Sequence, residues 1–401
     1  MIARTEYLDQ LSALKDKHII KVITGIRRCG KSTLLELFRE RLTGEGIPAD
    51  RMVSINFEDM DNSALRNPES LHAHIKAKLI PGKTTYVFLD EVQNVVDFPR
   101  VVNSLFTRKN IDIYLTGSNA FMLSGDLATL LSGRYIEIKM LPLSFREYVQ
   151  GVGTTEPPSR LFKHYLTEGG MPNALEFRNN AKTRFDYLSG IYSTVVLKDI
   201  AQHMKIGDTM MLERVIRFVF DNVGNTLSTK KIADTLTSDG RKADHKTVER
   251  YLHAMMSSFI VYQARRFDVK GKQYLKTQEK YYAVDTGLRQ MLLGNRNTDW
   301  GHLLENVVYL ELFRRGYAVY IGKVGTTEID FVAQRGAETV YYQVAATLRS
   351  PETLERELRP LRAISDNYPK FIITLDDDPA ADFAGIRTIN AMDFLLGLPG
   401  L

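Results

Sequence analysis

The feature that most constrains the fold of this chain is a glycine-rich turn between a strand-like run and a helical pattern. The stretch GIRRCGKS, from Gly25 to Ser32, matches G-x-x-x-x-G-K-[ST] at every fixed position. It follows the apolar run His18–Thr24 and opens a helical periodicity over Ser32–Leu42. Glycines let a backbone curl so that its N–H groups face an anion, and a helix N-terminus adds a favourable dipole. The segment predicts a phosphate-binding loop, and a plain glycine turn before a helix is the alternative.

The types of residue in this loop also fit phosphate chemistry. Lys31 would bring a point charge to the β- and γ-phosphates, and the Ser32 hydroxyl would be a ligand of Mg²⁺. Cys29 is the only cysteine of the chain and lies inside the loop. We expect the helix N-terminus and Lys31 to lower the pKa of its thiol, so that thiol modification blocks nucleotide binding.

The first 150 residues alternate strand-like and helical patterns. Such alternation predicts parallel βαβ units with helices on both faces of an α/β sheet. Further strands are predicted at Met52–Phe57, Thr85–Asp90, Ile111–Thr116 and Tyr135–Lys139, and further helices at Pro68–Ile80 and Phe98–Lys109.

Two adjacent carboxylates end the strand TYVFLDE. Ligands of open α/β sheets bind at the carboxyl ends of the strands, where Asp90 and Glu91 would lie. Asp90 is positioned to hold Mg²⁺ through water, and Glu91 would polarise the attacking water. An Asp-Glu pair also occurs at ordinary solvated strand ends, but the upstream loop favours the functional interpretation.

Three further side chains are candidates for catalysis. The next strand ends in LTGSN, so Ser118 or Asn119 would lie beside Asp90, near the γ-phosphate; a turn with a helix N-cap is the alternative. Arg134 precedes the last strand, away from the phosphates of its own subunit. It would be an arginine finger that reaches a neighbouring subunit's nucleotide, or a surface arginine.

Composition limits the class of protein. The chain has 401 residues, 44% hydrophobic and 25% charged, which is typical of a folded protein of two or three domains. No apolar run approaches a membrane span, and the first ten residues show no secretory signal. One cysteine excludes intrachain disulfides, so we expect a reducing, cytoplasmic setting.

The patterns predict four domains. They are an ATPase-like α/β domain at 1–150, a helical subdomain at 151–225, a winged helix at 226–295 and a mixed α/β domain at 296–401. The stretch GVGTTEPPS, from Gly151 to Ser159, is the clearest linker by composition.

The basic residues are concentrated in one of these domains. From Thr226 to Tyr282 twelve Lys and Arg stand against six Asp and Glu, a local excess of +6 in a chain whose net charge is +5. Two helices followed by an alternating pair of strands predict a winged helix that contacts duplex DNA, or one that packs against or docks a protein. The candidate DNA-binding residues are Lys242, Lys246, Arg250, Lys270 and Lys272.

In this order, GIRRCGKS, FLDE, LTGSNA, LSGRY and PLSFREY resemble the AAA-type ATPases of bacteria and archaea. More narrowly, the whole chain resembles the family that pairs such a domain with a C-terminal domain of nuclease-like fold. The resemblance implies ATP and Mg²⁺ as cofactors and a homo-oligomer. It implies that Pro172, in the element Gly169–Pro172, contacts the base of the nucleotide, with a helix-breaking turn as the alternative. The expected nucleotide-binding residues are Gly25, Arg28, Cys29, Gly30, Lys31, Ser32, Thr33 and Pro172.

The C-terminal domain departs from the nuclease pattern that it resembles. The PD-(D/E)xK layout has a helix Glu, matched by Glu305, a strand Asp, matched by Asp330, and then an acid and a lysine. Gln343 stands in place of the acid and Ala345 in place of the lysine. We therefore expect a nuclease-like fold without nuclease activity, and Glu305 could equally be a helix-surface residue.

Two functional classes follow. The first is an ATPase that couples nucleotide state to a conformational change on DNA. The second is a signalling or defence-type NTPase switch that docks proteins rather than DNA. The basic excess in residues 226–282 favours the first class.

Overall fold

A computed structural model describes residues 2–118, 120, 131–201, 205–238, 243–294 and 300–398, apart from the side chains of 196–198 and 274–277. The chain divides into two compact units. The first comprises Met1–Met140 with Ser257–Phe259, and the second comprises Leu141–Met256 and Ile260–Leu401. The division falls before the proline- and glycine-rich stretch 151–159. Among the described helices, none is long and apolar enough to cross a membrane.

The first unit is built on a five-stranded parallel sheet, which confirms the predicted α/β fold. Its strands are β1 Ile20–Thr24, β2 Met52–Asn56, β3 Thr85–Asp90, β4 Ile111–Gly117 and β5 Tyr135–Lys139. The order is β2-β3-β4-β1-β5, and every neighbouring pair is parallel. The helices are α1 Thr5–Leu14, α2 Lys31–Gly44, α3 Pro68–Ala77 and α4 Phe98–Phe106.

The central strands of this sheet are covered on both faces. All residues of β1, β3 and β4 are buried, which is typical of parallel strands between layers of helices. On one face Leu89 shares a core with Leu71 of α3 and Val102 of α4. Phe88 points to the opposite face because strand side chains alternate, and its ring centroid lies 6.4 Å from that of Phe38 in α2. Helices therefore pack on both faces of the sheet.

Helices dominate the first part of the second unit and alternate with strands in its later part. They are α5 Phe145–Val152, α6 Pro158–Glu168, α7 Ala181–Ser193, a π-helix Thr194–Ile200, α8 Thr209–Asp221, α9 Thr229–Ser238, α10 His245–Ser257, α11 Thr286–Leu293, α12 Trp300–Arg314, α13 Pro351–Arg362 and α14 Ala391–Leu396. The helix α5 begins with a capping box in which Ser144 and Glu147 satisfy each other's backbone N–H groups.

An eight-stranded mixed sheet forms the rest of the second unit. Its strands are β6 Thr226–Leu227, β7 Val261–Asp268, β8 Gln273–Ala283, β9 Ala318–Val324, β10 Thr327–Arg335, β11 Glu338–Ala345, β12 Lys370–Thr374 and β13 Ile386–Asn390. The order is β13-β12-β11-β10-β9-β7-β8-β6. Strands β9, β10 and β11 are antiparallel, whereas β11, β12 and β13 are parallel.

The hairpin β7–β8, which the sequence predicts as a wing, is a member of this sheet. Strand β7 pairs in parallel with β9, with Arg266 opposite Ile321. Strand β8 pairs with β7 on one side and β6 on the other. The predicted winged-helix and C-terminal segments therefore share one continuous sheet.

Candidate functional site

The glycine-rich loop connects β1 to α2 with a backbone that only glycine adopts easily at two positions. Gly25 has a φ of 153° and Gly30 a φ of 100°. A Cβ atom on Gly25 would lie 2.2 Å from the carbonyl oxygen of Met140. Arg28, at the exposed turn of the loop, also has a positive φ, of 66°. The loop is therefore a tight turn at the carboxyl end of β1.

Lys31 turns its ammonium group inward over this loop. Its side chain is buried, and Nζ donates to the carbonyl oxygens of Gly25 at 3.1 Å and Ile26 at 3.3 Å. The same Nζ lies 3.6 Å from Oε1 of Glu91. The positive charge thus stands between the loop and the end of β3.

Asp90 ends β3 as a buried carboxylate. It accepts hydrogen bonds from the hydroxyl groups of Thr116, at the end of β4, and Ser32, in the first turn of α2. Burial raises the pKa of Asp90, and the hydrogen bonds from Thr116 and Ser32 oppose that rise. A carboxylate beside a hydroxyl group is a pair of hard oxygen ligands, which fits Mg²⁺. Asp90 and Ser32 therefore fit the Mg²⁺ ion that the sequence predicts at this position.

Glu91 follows Asp90 in a left-handed backbone conformation, with a φ of 52°. Its backbone N–H donates to Oγ1 of Thr116 at 2.9 Å. Its Oε2 accepts hydrogen bonds from the Ser118 hydroxyl at 3.1 Å and from the amide of Gln93. The carboxylate is held on one side by these two groups and faces Lys31 on the other.

The strands β1, β3 and β4 are parallel neighbours, so their carboxyl ends meet at one edge of the sheet. The structure brings together at this edge Gly25, Gly30, Lys31, Ser32, Asp90, Glu91 and Ser118. Thr33 lies with Ser32 in the first turn of α2, and both are partly buried. Asn119 lies outside the described residues, so its role stays a prediction.

The expectation for Cys29 is wrong in its acid–base part. The thiol is fully buried, and its Sγ lies 3.6 Å from the carbonyl oxygen of Met140. Burial raises the pKa of Cys29, and the nearby charges of Lys31 and Arg4 only partly offset it. Because a buried thiol of raised pKa reacts slowly, the loop does not activate this cysteine.

Arg134 lies at the amino-terminal ends of the strands in the five-stranded sheet, opposite the end that carries the loop. Its carbonyl oxygen accepts a hydrogen bond from the N–H of Ile20, which is the first residue of β1. The glycine-rich loop follows Thr24, the last residue of that strand. Its exposed guanidinium contacts the side chain of Asn103 and lies over the ring of Phe106, 5.9 Å from the centroid. Within its own unit, this arginine is therefore separated from the loop by the length of a strand.

Three residues of this unit were missed by the sequence analysis. Thr116 and Gln93 hold Asp90 and Glu91, and Arg4 donates from a buried guanidinium to the carbonyl oxygen of Cys29 at 3.0 Å. Thr116 could have been found from its place beside Ser118 at a strand end. Nothing in the sequence pairs Arg4 with a loop 25 residues away.

The remaining predicted residues lie in the second unit. Pro172 begins a short 3₁₀ helix, Pro172–Phe177. The preceding turn is held by Asp285, whose Oδ2 accepts from the N–H of Gly170 at 2.6 Å. A Cβ atom on Gly169 would lie 2.3 Å from Oδ1 of the same aspartate. The contact of Pro172 with a nucleotide base stays a prediction.

The candidate DNA-binding residues are solvent-exposed where they are described. Lys246 and Arg250 are one helical turn apart on α10, and Lys270 and Lys272 lie at the turn between β7 and β8. Lys242 lies outside the described residues.

Comparisons with known proteins agree with this architecture. Residues 17–149 match a family model described as an AAA domain, and residues 159–299 match one described as a domain of unknown function. An uncharacterized protein of Haemophilus influenzae is 40% identical over 400 residues, 99% of each chain. An uncharacterized protein of Methanocaldococcus jannaschii is 28% identical over 385 residues, 90% of this chain and 82% of its own.

Solved structures are also similar in fold, and one of them matches most of the chain. The Walker-type ATPase of Pyrococcus abyssi matches 73% of this chain and 96% of its own, with a TM-score of 0.51 and 15% sequence identity. At this identity the likeness concerns the fold alone, an α/β fold with a parallel sheet.

Proposed function

We propose that this chain, which belongs to the same protein family as the Haemophilus influenzae relative and carries an AAA domain, binds ATP with Mg²⁺ and hydrolyses it. The observation that carries the proposal is the meeting of Lys31, Asp90 and Glu91 at the carboxyl edge of the parallel sheet, around a loop with the geometry of a phosphate-binding turn.

Each of these residues has a chemical role in the proposal. Lys31 neutralises the β- and γ-phosphates, and the N–H groups of the loop surround them. Ser32 and Asp90 would hold Mg²⁺, which supplies charge neutralisation at the phosphates when bound. Glu91 accepts a proton from the attacking water, and Ser118 and Gln93 fix the direction of its carboxylate.

Nucleotide binding is tested by calorimetric titration of ATP with Mg²⁺. We expect Lys31→Ala to lose ATP binding because it removes the buried ammonium that contacts the loop. Lys83→Ala, which removes an exposed lysine of the same unit, is the matched control and keeps wild-type affinity. Equal affinity of Lys31→Ala and wild type would contradict the proposal.

We also propose that the second unit contacts duplex DNA and that nucleotide state changes this contact. The support is the exposure of Lys246, Arg250, Lys270 and Lys272 within the segment of +6 local charge. Contacts to phosphates position a protein on DNA without reading its sequence, so we expect binding of mixed-sequence duplexes.

Duplex DNA added to the ATPase assay at two salt concentrations tests this contact. The proposal expects stimulation that falls as salt rises, because counterion release makes phosphate contacts salt-dependent. Lys246→Ala with Arg250→Ala should weaken the stimulation, whereas Lys163→Ala, an exposed lysine of α6, should not. Hydrolysis that is indifferent to DNA would favour the alternative, a signalling or defence-type switch that docks proteins.

For residues 296–401 we infer a nuclease-like fold without nuclease activity. A helix, three antiparallel strands and a further parallel strand follow one another in the order of that fold. Gln343 and Ala345 lie on β11 where the nuclease pattern has an acid and a lysine. An amide and a methyl group supply neither metal charge nor a proton, so no phosphodiester cleavage is expected.

A further inference from the structure

The second unit contains a lysine enclosed by three carboxylates. Nζ of Lys280, on β8, lies 3.0 Å from Oε1 of Glu305 on α12 and 2.9 Å from Oε1 of Glu328 on β10. Oδ1 of Asp330, also on β10, lies 3.9 Å away. We call these four residues the Lys280 cluster. Its members come from three elements that are distant in sequence.

The ammonium group at the centre of this cluster is buried among its counter-charges. The side chain of Lys280 is only 6% exposed. Burial alone would lower the pKa of Lys280, but the carboxylates of Glu305, Asp330 and Glu328 raise it above its usual value. The hydroxyl of Tyr282 donates to Oε1 of Glu305 at 2.7 Å, so this carboxylate is also held from the side of β8.

Two members of the cluster, Glu305 and Asp330, are the carboxylates that a nuclease-like domain would use to bind a divalent metal. The third metal-binding position of that pattern, Gln343, does not face them as a ligand. Its Oε1 accepts from the N–H of Asp330 at 2.8 Å and its Nε2 donates to Glu357 at 2.8 Å. The chain therefore lacks the acid of the pattern.

The cluster does not fit a divalent metal as it stands. Mg²⁺ takes six oxygen ligands at about 2.1 Å, and the space between these carboxylates is filled by an ammonium group. Among the residues that the structure describes, no group of three His, Cys, Asp or Glu side chains is arranged to hold a metal. The buried carboxylate of Glu305 still needs a cation, because an uncompensated buried charge is strongly unfavourable.

We propose that Lys280 is an internal cation that replaces the divalent metal of a nuclease-like centre, and that it joins β8 to α12 and β10 without any metal. In wild type the centre is closed to metal ions. Removal of the ammonium leaves these three carboxyl groups without it, as a set of oxygen ligands that a hard divalent cation can bind. This proposal rests on the nuclease-like fold inferred for residues 296–401, and it is independent of ATP hydrolysis because all four residues belong to the second unit.

The test is a titration of nucleotide-free full chain with Mn²⁺, together with thermal denaturation. We expect Lys280→Ala to lower the melting temperature, to bind one more Mn²⁺ per chain than wild type, and to regain stability when Mn²⁺ is added. The control Lys163→Ala should match wild type in melting temperature, in the number of Mn²⁺ ions bound and in its response to added Mn²⁺. Asp330→Asn in the Lys280→Ala background should abolish the additional Mn²⁺ binding, which assigns it to this cluster.

Lys280→Gln keeps the bulk of the side chain and guards against a simple failure to fold. Mn²⁺ binding by wild type that is lost in Asp330→Asn would overturn the proposal. So would a folded Lys280→Ala or Lys280→Gln chain that binds no additional Mn²⁺. Failure of Mn²⁺ to restore either variant, if both unfold, would equally show that a divalent cation does not replace the ammonium.

Discussion

At the scale of single residues, the first unit buries an ion pair far from the loop. Lys21 on β1 and Asp112 on β4 are in contact and almost fully buried. The hydroxyl of Tyr114 donates to Asp112 at 2.9 Å, and the backbone N–H of Asp16 does so at 2.9 Å. Burial lowers the pKa of Lys21 and raises that of Asp112, so each group depends on the other to remain charged.

Removal of one partner should therefore cost more than removal of both. We expect Lys21→Met to destabilise the chain by about 3–5 kcal/mol, because it leaves a buried carboxylate without its counter-charge. Lys21→Met with Asp112→Asn should recover part of this loss, and the exposed Lys109→Met should cost little. Thermal denaturation followed by circular dichroism measures the three variants. A single variant as stable as the double variant would contradict the expectation.

Gln93 is the residue that most directly restrains Glu91. Its amide donates to Glu91 and lies 3.5 Å from the hydroxyl of Ser118. We expect Gln93→Ala to lower kcat for ATP about tenfold to a hundredfold with unchanged ATP affinity, because Glu91 loses its fixed direction. The exposed Gln150→Ala is the matched control. A changed affinity at constant kcat would instead make Gln93 a ligand-binding residue.

At the scale of elements, the site depends on where β1, β3 and β4 end. The loop follows β1 as a tight turn against Met140. Asp90 ends β3 and Glu91 follows it, so both acidic residues lie at the same end of the sheet as the loop. Apolar runs followed by Gly or Asp mark these strand ends in the sequence, which is why the positions of Lys31, Asp90 and Glu91 could be predicted. The parallel direction of these strands then follows from the general rules for βαβ units.

Alanine substitutions at two glycines test the geometry of the glycine-rich loop. We expect Gly25→Ala to abolish ATP binding or fold poorly, because its Cβ would lie 2.2 Å from the carbonyl oxygen of Met140. Gly44, at the end of α2, has no atom within 4 Å of an added Cβ. Gly44→Ala should therefore keep binding and change stability by no more than about 1 kcal/mol. Wild-type ATP affinity in Gly25→Ala, measured by calorimetry, would contradict this account of the loop.

Other features of the elements could not be predicted from the sequence. The pairing of β7 with β9 and the enclosure of Lys280 by α12 and β10 join segments that no local pattern relates. The burial of Cys29 depends on Met140, which lies more than a hundred residues further along the chain. Local periodicity specifies which residues are strand or helix, but not which distant side chain fills a given space.

At the scale of the whole molecule, each unit has its own sheet. The eight-stranded sheet runs from β6 to β13 and crosses from the segment matched as a domain of unknown function, 159–299, into the C-terminal strands. The five-stranded sheet carries the proposed ATPase site at one edge and Arg134 at the other. Because this arginine lies a strand's length from the loop of its own unit, its role as an arginine finger stays a prediction that requires the expected homo-oligomer.

Mixing of two inactive variants tests this assembly. We expect Arg134→Ala to lower kcat about a thousandfold or more, as loss of an arginine finger does. A mixture with Glu91→Gln should regain activity. In a mixed pair, the Arg134→Ala chain keeps its own Glu91 and its neighbour supplies an intact Arg134, so one site is complete. The exposed Arg100→Ala is the control and should hydrolyse ATP like wild type. Wild-type activity of Arg134→Ala alone would make Arg134 a surface arginine.

The proposed function depends most on the action of Glu91 in hydrolysis, at a site where the loop binds ATP. The most direct measurement is phosphate release by Glu91→Gln and wild type at saturating ATP and Mg²⁺, with ATP affinity determined on the same preparations. We expect Glu91→Gln to keep its ATP affinity and to lose about a hundredfold to ten-thousandfold in rate, since the amide cannot accept the proton of water. Hydrolysis by Glu91→Gln at the wild-type rate would contradict it.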